Sequence, residues 1–174
     1  MDNKKKKSLI EALLFVSGEP ISLKELQRIT EFASGEIEYL LQELMAEYRT
    51  REGALEIVQV AEGYQMVTRP EYADWIKKFR STPSTKLSMA ALETLAVIAY
   101  RQPITKAEIE QLRGVNSDGV IKNLLERRLI KIVGKKETPG RPLLYGTTKE
   151  FLMFFGLKDL TELPTLRELS PEEL

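Results

Sequence analysis

The chain has 174 residues, with 26 Lys plus Arg balanced by 26 Asp plus Glu, and it contains neither Cys nor His. Zero net charge removes any general pull toward polyanions or lipid headgroups, and the missing residues exclude disulfides, Cys/His zinc sites, thiol nucleophiles and the usual near-neutral general base. No stretch approaches the roughly 20 apolar residues needed to cross a bilayer, and the start carries no apolar leader, so a cytoplasmic protein with no membrane partner is expected.

Lys4 to Lys7 open the chain as a charge run, which reads as a solvated, disordered tail. The segment 9–17 is rich in apolar residues and weakly charged. Next, "EPISLKELQRI" (19–29) contains Ser22-x-x-Glu25, a capping box that opens a short second helix. Ile37, Leu40, Leu41, Leu44, Met45 and Tyr48 then form a stripe at helical spacing, a third helix. Its other positions, Glu36, Glu38, Gln42, Glu43 and Glu47, predict a face that phosphate would repel. "ALEIVQVAEGYQMVT" gives two β-rich runs turning at Glu62-Gly63. Thr68-x-x-Glu71 predicts a further capping box and a fourth helix, with Tyr72, Trp75, Ile76 and Phe79 as core.

After "RSTPSTKLS" (80–88), polar and interrupted by Pro83, Ser88 is a plausible N-cap for a new helix. "QPITKAEIEQL" (102–112) then aligns with 19–29 at a fixed offset, pairing Pro20 with Pro103, Ser22 with Thr105, Glu25 with Glu108 and Ile29 with Leu112. Gly114 and Gly119 have the spacing of a phosphate loop, but Val120 and Ile121 stand where Lys and Ser or Thr are required, so a helix-helix turn is predicted. Val120, Ile121, Leu124, Leu125 and Leu129 mark the third helix of this half, and Thr138-Pro139-Gly140 a longer turn between strands. Thr147-x-x-Glu150 introduces a fourth helix carrying Phe151, Phe154 and Phe155. Leu157, Leu160, Leu163, Leu166 and Leu169, interrupted by Pro164 and Pro171, suggest an extended strap that either lies on the second half, the favoured reading, or docks on a partner.

The predicted fold is mainly α with short β-hairpins (α+β): two tandem winged-helix, or helix-turn-helix, domains. The boundaries are 1–80 for a first domain, 81–87 for a linker, 88–156 for a second domain and 157–174 for an acidic tail. Charge is uneven. Residues 1–83 hold 12 basic and 14 acidic side chains, residues 84–156 hold 12 and 7, and residues 157–174 hold 2 and 5. Carboxylates fall at helix caps and on charged helix faces, with no pair in an apolar setting that would separate acid from base roles, so neither an enzyme nor a cofactor or metal is expected.

Several separated motifs occur in order: "AYRQPIT", "RGV", "GRPLLYGTT", "FFGL" and "LP", preceded near the start by "IEALLFVSGEPIS". On these the chain resembles the segregation and condensation protein B family over essentially its whole length. The resemblance implies a non-enzymatic, homodimeric subunit of the bacterial chromosome-condensing complex, cytoplasmic and associated with the nucleoid. Its partners would be the kleisin, segregation and condensation protein A, and through it the SMC ATPase. The first domain is expected to dimerise, on the resemblance and on its weakly charged, apolar-rich segment 9–17; the second, which holds the basic surface and the densest of these motifs, is expected to carry the main kleisin contact.

The candidate partner-binding residues are Tyr100, Arg101 and Gln102, expected in a loop before Pro103, and Arg141, Pro142 and Tyr145 in the second hairpin. Lys122, Arg127, Lys135 and Lys136 are the candidates for weak DNA contact, opposed by Asp118 and Glu126. The alternative is a DNA-binding transcriptional regulator built from tandem winged helices. The acidic first half weighs against it, and weak or no direct nucleic acid binding is expected.

Overall fold

The computed structural model describes residues 1–80 and 86–165. It divides into two units, Met1–Pro83 with Gly156–Leu174, and Ser84–Phe155. Most of the predicted linker, 81–85, and the end of the acidic tail lie outside the described residues.

The first unit runs α1 (Asn3–Ser17), α2 (Leu23–Thr30), α3 (Ser34–Thr50), β1 (Leu55–Val60), β2 (Gly63–Thr68) and, after a 3-10 turn at Pro70–Tyr72, α4 (Ala73–Arg80). Its core is the predicted stripe of α3, with Ile37, Leu40, Leu41, Leu44 and Tyr48 meeting Ile10 and Leu14 of α1 and Leu26 of α2. β1 and β2 form an antiparallel hairpin, from Leu55 opposite Thr68 to Val60 opposite Gly63. The turn is Ala61-Glu62, one residue earlier than the sequence suggests, and both have positive φ (49° and 59°). That is the conformation a two-residue turn needs to match strand twist. Gly63 follows because a Cβ there would lie 2.8 Å from the Ile21 carbonyl oxygen, where Ile21 and Tyr64 exchange backbone hydrogen bonds at 2.9 Å.

Three expectations for this unit are corrected. Lys4 to Lys7 are not a loose tail: Asp2 caps α1 by accepting from the Lys5 N–H, and the run forms its first turns. Lys6 reaches Glu36 of α3 at 2.5 Å and stands over the Phe32 ring, while Lys7 pairs with Glu43 and Glu47. The acidic positions of α3 thus face a basic helix, and the phosphate-repelling face shrinks to Glu38 and its neighbours. Thr68 makes no capping box; Arg69 precedes the 3-10 turn without a side-chain cap. Arg69 instead turns its guanidinium back on the C-terminus of α3, where Nη2 donates to the carbonyls of Tyr48 and Arg51, both at 2.7 Å. The aromatics of α4 are not core, since α4 has no buried residue.

The second unit repeats the plan with α5 (Met89–Arg101), β3 (Ile104–Thr105), α6 (Lys106–Arg113), α7 (Asp118–Glu126), β4 (Ile130–Lys135), β5 (Leu143–Thr147) and α8 (Lys149–Phe155). Ser88 caps α5 as predicted, accepting from the Ala91 N–H at 3.2 Å. Thr105 and Glu108 form a reciprocal capping box, whereas Ser22 only accepts from the Glu25 N–H. Thr148, not Thr147, caps α8, through the Phe151 N–H. β3 adds a short third strand, giving the antiparallel order β3-β5-β4 with a bulge between Ile132 and Gly134.

The strap begins on the first unit, not the second. The Ala61 N–H donates to the Leu157 carbonyl at 2.9 Å and the Glu62 N–H to that of Lys158 at 2.7 Å. The strap thereby gives partners to two hairpin-turn N–H groups, one of them on the buried Ala61.

Candidate partner-binding surfaces

The second unit brings three of the six predicted interface residues, Arg101, Pro142 and Tyr145, into two grooves beside α6. One groove, of about 300 Å³, is lined by Arg101 and Pro103 with Ile104, Glu108, Gln111 and Leu112. The other, of about 420 Å³, is lined by Lys106, Ala107 and Glu110 with Pro142, Leu143 and Tyr145. α6 can serve both because Ile109 alone of its residues is fully buried. Leu112 is 56% exposed, and Val115 beyond it 52%. Sequence reading missed them as surface anchors, though Leu112 aligns with Ile29, which is also exposed.

The predicted residues take different roles. Tyr100 and Arg101 belong to the last turn of α5 rather than a loop, the first half-buried and the second exposed. Gln102 holds the fold together. Its Nε2 donates to the Ala99 carbonyl (3.1 Å) and the Thr147 hydroxyl (3.0 Å), while its Oε1 accepts from the Thr147 N–H (2.8 Å). Tyr145 is only 8% exposed, sits opposite Ile104 and Ile132 in the sheet, and forms the floor of the larger groove. Pro142 is half-buried on its wall. Arg141, exposed at the wing tip with φ 41°, pairs with Glu137 at 3.6 Å.

The electrostatics of the recognition region are largely internal. Lys136 donates to Glu108 at 2.5 Å; with the Thr105 N–H and hydroxyl it holds that carboxyl down at about 2. Lys106 bridges to Asp118 at the start of α7, which lies below its ordinary pKa because of Lys106 first and Asn116 second. Arg113, nearly buried, reaches Glu93 of α5 (2.9 Å) and the Ser117 hydroxyl (3.2 Å), pinning the turn before α7. Of the four basic residues named for DNA, Lys136 is thus drawn into the capping box. Lys122, Arg127 and Lys135 are exposed. Among the described residues no cluster of acidic side chains has metal-ligand geometry, and no helix is long and apolar enough to cross a membrane.

A family model described as segregation and condensation complex subunit ScpB matches residues 8–166. A protein named segregation and condensation protein B from Syntrophotalea carbinolica is 51% identical over 170 residues, covering 98% of this chain and 86% of its own length. One of the same name from Desulforamulus reducens is 54% identical, covering 95% and 92%. A solved dimer of the ScpB N-terminal domain complexed with a ScpA peptide is 28% identical over 44% of this chain and 95% of its own, with a TM-score of 0.42.

Proposed function

We infer the function from one premise: the chain belongs to the ScpB family of segregation and condensation complex subunits. It serves chromosome segregation and condensation as a non-catalytic subunit, and we propose that it does so as a homodimer joined through the first unit and bound to the kleisin ScpA, which connects it to the SMC ATPase. Its place is the cytoplasm, at the nucleoid. The observation that carries this reading is the family match along nearly the whole chain. The kleisin contact is assigned to the second unit, where two grooves flank α6, one including Arg101 in its lining and the other Pro142 and Tyr145, with Arg141 exposed next to Pro142 in the chain. A specific interface concentrates its energy in a few such anchors.

DNA is a weaker fit. Affinity for duplex DNA rests on cations free to displace counterions, and here Lys106 and Lys136 are engaged with Asp118 and Glu108. Titration of the intact protein with a ScpA fragment tests the assignment. Leu112→Asp and Arg141→Ala should each weaken binding by roughly 10-fold or more, with circular dichroism unchanged. If both bind like the parent, the kleisin site lies elsewhere.

A further inference from the structure

The strap makes the first unit discontinuous in sequence: the chain enters the second unit after α4 and comes back to the first at Gly156. Both ends of the second unit are therefore attached to the first, one by the covalent run after Arg80 and the other by whatever holds the strap in place. That hold is specific. Ala61 and Glu62 have left-handed backbone (φ 49° and 59°), and the N–H groups of successive turn residues form a concavity that takes oxygen atoms. The oxygens they take are the Leu157 and Lys158 carbonyls. Ala61 is only 3% exposed although it stands at the tip of a hairpin.

The strap also fastens its own shape. Gly156 turns the chain out of α8 with φ 67°, a conformation glycine adopts at no steric cost. Beyond it the Lys158 N–H donates to the Glu162 carboxylate at 2.6 Å, the Lys158 Nζ lies 3.7 Å from the same group, and the Asp159 carboxylate accepts from the Thr161 N–H at 2.7 Å. Leu157 and Leu163, at the two ends of this closed turn, are half-buried, while the residues between them are mostly exposed. A segment shaped by its own side chains loses little freedom each time it docks.

We propose that the strap is a releasable latch. Closed, it ties the second unit to the first at both ends; open, it leaves the second unit joined at its N-terminal end alone. Backbone hydrogen bonds exchanged against water contribute little net, and the strap lies at the surface, so the latch opens locally without either unit unfolding. The latch thus sets how far the grooves beside α6 can reach from the first unit.

The chain has no cysteine, so a donor and an acceptor dye are placed at Lys24→Cys and Asn123→Cys, exposed positions with one in each unit. Traces of doubly labelled chain in an excess of unlabelled parent keep each single-molecule energy-transfer reading within one protomer. The parent should give one narrow transfer distribution. Truncation after Phe155 should broaden it, and Asp159→Ala with Glu162→Ala, at full length, should broaden it less. By amide exchange, Ala61 and Glu62 in the parent should exchange faster than Ile21 and Tyr64, which bond each other's carbonyls. Truncation should lower the protection of Ala61 and Glu62 by roughly 10-fold or more while Ile21 and Tyr64 keep theirs. A parent as broad as the truncated chain, or either variant with the parent's distribution, overturns the proposal. So does a truncated chain in which Ile21 and Tyr64 also lose protection or circular dichroism falls, since the strap would then be a fixed part of the hairpin.

Discussion

The two units repeat one plan and spend their surfaces differently. In the first, basic residues of α1 neutralise the acids of α3, through Lys6–Glu36 and Lys7–Glu43/Glu47, and the exposed features left over are aromatic: Phe15, Trp75 and Phe79. In the second, the ion pairs concentrate around α6, through Lys136–Glu108 and Lys106–Asp118, and what remains is a helix flanked by two grooves. A winged helix therefore does not by itself specify DNA as its ligand; the charges left over after internal pairing decide what the scaffold can bind.

The largest effects should show that the scaffolds are equivalent. Leu26 and Ile109 align in the repeat, and both are fully buried on the second helix of their units. Leu26→Ala and Ile109→Ala should each cost about 2–5 kcal/mol in urea unfolding. A core role in only one unit would break the equivalence.

Next come the hairpin glycines, where the units differ. A Cβ at Gly63 meets the Ile21 backbone at 2.8 Å, which cannot swing aside; a Cβ at Gly146 meets only side chains, the Gln102 Oε1 at 2.9 Å and a methyl of the exposed Val133 at 3.0 Å. Gly63→Ala should cost about 1–3 kcal/mol or more. Gly146→Ala should cost less than Gly63→Ala, because Gln102 can rotate away at the expense of its hydrogen bonds to Thr147. The ratio of the two, from denaturant midpoints at constant slope, sharpens the comparison.

The capping boxes differ in titration. Glu108 is held down at about 2 by Lys136 and then by the Thr105 groups. A depressed carboxyl contributes stability that is present above its unfolded value of 4.5 and is lost as pH falls toward 2. NMR titration should find Glu108 in that low range, and Lys136→Ala should move it up without restoring 4.5, because Thr105 still donates. An ordinary value in the parent would contradict the geometry.

The smallest effect belongs to the basic start. Lys7→Ala should shift the urea midpoint only slightly, and less still at high salt, as expected of exposed, screened pairs.

Local signals were legible in the sequence. The α3 stripe, the Ser22, Ser88 and Thr105 caps and the two hairpins all follow from neighbours within a turn or a strand. The failures are long-range. Lys6 and Lys7 find partners 30 and 40 residues away, so a charge run read alone resembles a tail. Helical spacing places Tyr72, Trp75 and Phe79 on one stripe but does not say that they stay exposed among the described residues. At the candidate site, "GRPLLYGTT" announced the wing, but the burial of Tyr145 depends on its register against Ile104 and Ile132, and the structural use of Gln102 on a contact with Thr147. The grooves themselves arise from α6 packing between segments far apart in sequence.

Whether the helix-turn-helix of the second unit serves a protein or DNA is tested most directly by parallel titrations of the intact chain at physiological salt, against a ScpA fragment and against duplex DNA. The account predicts saturable ScpA binding and DNA affinity near or weaker than about 10⁻⁵ M without sequence preference. A sequence-selective DNA complex in the nanomolar range, abolished by Lys122→Glu with Arg127→Glu while ScpA binding stayed intact, would contradict it.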